Sequence, residues 1–80
     1  MQQDPNFARF LLRREELGQR FDETCRQLDA WIADWLEVEP PSAQLAYLEG
    51  LLQVRSDLFS QLKAIDDELR DYLLALHQPS

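Results

Sequence analysis

A chain of 80 residues with a formal net charge of −7, 45% hydrophobic and 29% charged, is one small domain, apolar enough to fold and too acidic to favour nucleic-acid phosphates. Charges interrupt every apolar run well before the roughly 20 positions that a bilayer span needs. Met1-Gln2-Gln3-Asp4-Pro5 has no basic segment followed by an apolar run, so no secretory signal is expected, and one cysteine, Cys25, fits a reducing, cytoplasmic compartment without a disulfide framework.

The first element is a helix over about residues 5–38. Asp4-Pro5 is a start signal, an N-cap carboxylate before a proline at the first helical position. From Phe7 onward apolar residues recur at heptad spacing. The a positions are Phe7, Arg14, Phe21, Leu28 and Trp35, and the d positions are Phe10, Leu17, Thr24, Trp31 and Val38. Leu11, Cys25 and Ile32 widen one flank, giving a stripe broader than a two-stranded seam requires.

Glu39-Pro40-Pro41-Ser42 forms the break, because prolines cannot continue a helix and each pushes its predecessor toward extended backbone. A second helix follows over about 43–77, entered either with Pro41 at its first position or with Ser42 as its cap. Its stripe runs through Leu45, Leu48, Leu51/Leu52, Arg55, Leu58/Phe59, Leu62, Ile65, Leu69, Tyr72/Leu73 and Leu76, and His77-Gln78-Pro79 closes it. The fold class is therefore all-α: an antiparallel helical hairpin with arms of about 50 Å.

The register is testable from the sequence. With the turn centred on Pro40, facing residues have numbers adding to about 80. Phe21 then meets Phe59, Leu28 meets Leu52, Phe7 meets Leu73 and Trp35 meets Leu45. Arg14 falls opposite Asp66, and a structural ion pair between them is predicted, since a charge inside a seam is costly unless paired. Arg55 has Asp22 or Asp29 within its expected reach. Gly18 and Gly50 stand inside the helices, either as tolerated surface glycines or as points of close approach to Leu62 and Ala30.

Chemistry finds little support. Cys25 reads as a small buried hydrophobe, and His77 as a last-turn residue that suits the helix dipole. No Glu-x-x-His, Cys-x-x-Cys or His-x-x-x-His spacing occurs, and no glycine-rich phosphate loop. Asp66-Asp67-Glu68 with Asp71 reads as a solvated helix face. No catalytic residue, cofactor or metal is expected.

Two helices touch along one line, so the surplus apolar surface calls for a partner: a second hairpin completing a four-helix bundle, or another protein. The candidate partner-binding residues are Trp31, Trp35, Tyr47, Leu12, Leu36, Leu51, Val54 and Leu58. Trp31 and Trp35, four positions apart on one face, are either seam packing or a clamp for an apolar helix. The stretch Leu51-Leu52-x-x-Arg55-x-x-Leu58-Phe59-x-x-Leu62 resembles the leucine-and-arginine helices of the small acidic chaperones of flagellar and type III secretion systems. That resemblance implies a non-catalytic protein that shields a partner's amphipathic helix. The expected function is a protein-protein interaction role as adaptor, chaperone or regulator; the alternative is a self-contained homodimeric bundle acting as a regulator or structural subunit.

Overall fold

The structure, a computed structural model, describes residues 5–77. It is an all-α helical hairpin of α1, Pro5–Trp35, and α2, Ser42–His77, packed side by side along their lengths. Among the described residues no strand occurs. The Asp4 cap and the Gln78-Pro79 stop lie outside the described residues.

The connection is longer than Glu39-Pro40-Pro41-Ser42, because α1 ends at Trp35 and residues 36–38 are bent. A proline has no N–H to give the carbonyl four residues back and its ring clashes with it, so Pro40 and Pro41 leave the Leu36 and Glu37 carbonyls without helical partners. The end is electrostatically poor as well. The last turn of α1 has no basic residue, and Asp34, Glu37 and Glu39 crowd a helix C-terminus that favours cations. Leu36 and Val38 are thereby removed from the helical stripe.

At the start of α2 the Pro41 carbonyl accepts from the Gln44 N–H at 2.9 Å and the Leu45 N–H at 3.1 Å. Pro41 is thus the cap position and Ser42 the first helical residue, one step from either expected arrangement. No described residue has a positive φ, so prolines alone turn the chain.

Heptad geometry holds between the helices. α1 buries Leu17, Thr24 and Leu28; α2 buries Leu51, Leu58 and Ile65 at strict seven-residue spacing. Thr24, a polar residue in the seam, donates its hydroxyl to the Arg20 carbonyl at 2.9 Å. The rings of Phe21 and Phe59 lie 6.4 Å apart and those of Phe10 and Tyr72 5.7 Å apart. These contacts set the expected register. One feature of it shifts: Leu51, at 8% exposure, fills the seam and Leu52, at 39%, stands at its edge. Leu45 and Leu73 are likewise edge residues, not core.

The core is thin. Among the described residues no side chain is completely buried, and the chain exposes 6618 Å². Close approach at the glycines does not occur, since a Cβ at Gly18 or Gly50 would meet nothing within 4 Å. Both point away from the seam, and their backbones have no tight neighbour to favour glycine.

Candidate functional site

At 100° per residue, positions one step to either side of the seam fall on opposite sides of the hairpin. On one side α1 presents Leu11, Gly18, Cys25 and Ile32, and α2 presents Leu45, Leu52, Phe59, Asp66 and Leu73. Both ladders share a side, because Arg14, Gly18, Phe21 and Asp22 of α1 line one shallow depression of about 450 Å³ with Phe59, Leu62, Lys63 and Asp66 of α2. Phe59 is 60% exposed there, and Leu11, Ile32, Leu45 and Leu52 are exposed elsewhere along the same side.

The other side is polar. Glu16, Gln19, Arg20, Glu23 and Gln27 line it beside Thr24, and further along Arg9 and Arg13 meet Glu68 around Phe10 and Tyr72. Arg26 and Glu23 form an ion pair at 2.7 Å one turn apart, and the hydrogen bond to Glu23, then its charge, raises the Arg26 pKa above its ordinary value. At the edge of the apolar side, Arg70 pairs with Asp67 and, at longer range, Asp71. The two broad sides thus differ, one carrying an apolar strip between charged edges and the other charged away from the turn.

One interruption crosses the apolar side. Arg14 Nε donates to Asp66 Oδ1 at 2.5 Å and Arg14 Nη2 to Asp66 Oδ2 at 3.4 Å. The side chains are 49% and 48% exposed, so this bridge lies at the edge of the seam and is hydrated, not enclosed as a seam charge would be. Its hydrogen bond, then its charge, holds the Arg14 guanidinium above its ordinary pKa. Arg55 reaches neither Asp22 nor Asp29 as an ion pair among the described residues; it is exposed on the apolar side.

A second feature lies near the turn on the polar side. Trp31 and Trp35 rings stand 6.4 Å apart and tilted by 40°, and with Tyr47, Gln27, Ala30, Asp34 and Gln44 they line a groove of about 470 Å³. Trp31 Nε1–H donates to Gln44 Oε1 at 3.2 Å, which bridges the two helices beside the connection. Both tryptophans are half-buried and Tyr47 is exposed.

The sequence-derived set therefore divides. Trp31, Trp35 and Tyr47 come together, and Val54 is exposed two turns beyond Tyr47. Leu12 is exposed but distant from them on α1, and Leu36 lies in the connection. Leu51 and Leu58 are corrected: at 8% and 7% exposure they are enclosed between the helices and offer nothing to a partner. Their neighbours Leu52 and Phe59 take the exposed role. The doublet spacing was the available signal, but either member of each doublet could have turned inward.

Among the described residues no group of three His, Cys, Asp or Glu side chains could hold a metal ion, and no buried polar side-chain atom lacks a hydrogen-bond partner. No described helix is long and apolar enough to cross a membrane. Comparison with protein-family models, with curated proteins and with solved structures finds no match to this chain.

Proposed function

We propose that this chain is a small, acidic, non-catalytic interaction protein, an adaptor, secretion-type chaperone or regulator, that works by presenting apolar helical surface to a protein in a reducing, cytoplasmic compartment. The observation that carries this reading is the sidedness of the hairpin. Leu11, Ile32, Leu45, Leu52 and Phe59 are exposed on the same side, while the opposite side is charged except for the Trp31, Trp35 and Tyr47 groove near the turn. Exposed apolar side chains gathered on one side in this way are rare on a soluble monomer unless something binds them. The composition supports the rest: 15 acidic against 8 basic residues keep a sticky surface soluble and oppose phosphate contacts.

The test is complementation in the native cell. Leu52→Glu with Phe59→Glu should abolish function while circular dichroism shows the helices intact, because neither residue fills the seam. Arg20→Ala with Glu23→Ala, on the charged side, should leave function unchanged. Full complementation by the Leu52/Phe59 variant would refute the proposed role.

A further inference from the structure

The exposed apolar side has a shape, a length and a charge pattern that together specify what covers it. Its two ladders run the length of the hairpin at seven-residue spacing, which is the pattern for packing along other long helices and not for enclosing a small ligand. The amount of exposed surface is also informative. The hairpin exposes 6618 Å², against about 5,000 Å² for a compact monomer of 9.4 kDa. Covering that excess on each of two hairpins would remove on the order of 3,000 Å², within the range of permanent homodimers.

Charge on this side is divided between the helices. The α1 edge carries Glu15, Asp22 and Asp29 against Arg14. The α2 edge carries Arg55, Lys63 and Arg70 against Glu49 and Asp66. Glu15, Asp22, Asp29, Arg55 and Lys63 form no ion pair within the hairpin. One edge is net acidic, the other net basic, and both border the same apolar strip.

We infer that a second copy of this chain covers the apolar side, related by a two-fold axis parallel to the helices. The inference rests on reading that side as a binding surface. In this arrangement α1 lies over the partner's α2 at the same level, and both turns lie at one end of a four-helix bundle. Acidic edge meets basic edge twice, with Glu15 level with the partner's Lys63. The Arg14–Asp66 belt meets its own inverse, so each charge faces an opposite charge. The open space at Gly18, where a Cβ would touch nothing within 4 Å, lies level with the partner's Leu62, one turn from its Phe59. The alternative two-fold, across the helices, stacks α1 on α1 and sets acid against acid. It also presses the Arg14–Asp66 belt onto the apolar level of Cys25 and Leu52.

Three measurements on the full chain test this. Light scattering across about 1 to 200 µM should show twice 9.4 kDa, with dissociation on dilution by mass action. A nitroxide at Glu37→Cys in a Cys25→Ser background should give a dipolar distance under about 35 Å within the dimer, whereas turns at opposite ends would lie about 50 Å apart or more. Lys63→Glu and Glu15→Lys should each weaken the dimer at least about fivefold and restore it when combined. A distance of helical length, or no restoration in the double variant, overturns the arrangement. A monomer at every concentration overturns the second copy altogether, and the complementation test then decides the interaction role separately.

Discussion

Arg14 and Asp66, 52 residues apart in the chain, meet through two parallel hydrogen bonds across the hairpin. The geometry is the two-pronged one that suits guanidinium and carboxylate, and it forms only in one alignment of the helices. Exposure of both side chains means water and salt screen the attraction, so its contribution is chiefly to alignment. Single reversals, Arg14→Asp or Asp66→Arg, should lower the urea midpoint, and the double reversal should recover most of it. The recovery should shrink in high salt. The Arg14 pKa is raised in the folded chain by its hydrogen bond to Asp66 and then by that residue's charge. A raised folded value stabilises below the unfolded value and is lost as pH climbs through the folded one, which lies beyond the working range. The interaction measured by a double-mutant cycle should therefore be the same at neutral pH and at about pH 10. A cycle that reads zero at low salt would contradict the bridge.

Leu58 and Phe59 are adjacent but lie in different environments, one enclosed in the seam and the other 60% exposed. Deleting a buried leucine side chain costs about 2–5 kcal/mol through lost transfer energy and the cavity left behind. Leu58→Ala should cost an amount in that range, enough to unfold much of so thin a core. Phe59→Ala, measured at concentrations below self-association, should cost much less. Equal losses would mean that the doublet is oriented differently from the structure.

Thr24 is the polar member of the seam, and its hydroxyl reaches back to the Arg20 carbonyl. That bond adds little to a carbonyl already engaged in the helix. Valine keeps the branched shape and replaces the hydroxyl with a methyl that packs against the other helix. Thr24→Val should stabilise by roughly 0.5–1 kcal/mol, read from chemical denaturation. A loss of stability would show that the hydroxyl contributes to the seam beyond its local bond.

The existence of two helices, their antiparallel sense and their register were legible because each rests on a strong local signal or on matched irregularities. The double proline marks the reversal, and Arg14 and Asp66 interrupt the two stripes at the same level. The end of α1 was misplaced because the effect of a proline reaches four residues back, to Leu36 and Glu37. The orientation of Leu51/Leu52 and Leu58/Phe59 was not legible. Adjacent helical residues differ by 100°, and a stripe that includes both can pack on either. The side on which α1 approaches decides it, and that is a property of the pair of helices. Trp31, Trp35 and Tyr47 were foreseen as neighbours, but the Trp31–Gln44 hydrogen bond depends on how α2 is entered after Pro41.

Gly18 and Gly50 supply the last prediction, and they lie on opposite sides of the seam. Glycine inside a helix costs about 1 kcal/mol relative to alanine, through backbone entropy. Neither site has an atom within 4 Å of an added Cβ, so nothing in the hairpin offsets that cost. Gly50→Ala should raise stability by about 1 kcal/mol at any protein concentration. Gly18→Ala should do the same in dilute solution, where the monomer dominates. At concentrations that populate the dimer its gain should fall short of that for Gly50→Ala, because the new methyl enters the space opposite the partner's Leu62. Thermal melts of both variants at two concentrations distinguish these cases. Identical gains throughout would place Gly18 away from the dimer contact, and a loss at Gly50 would contradict the open surroundings found there.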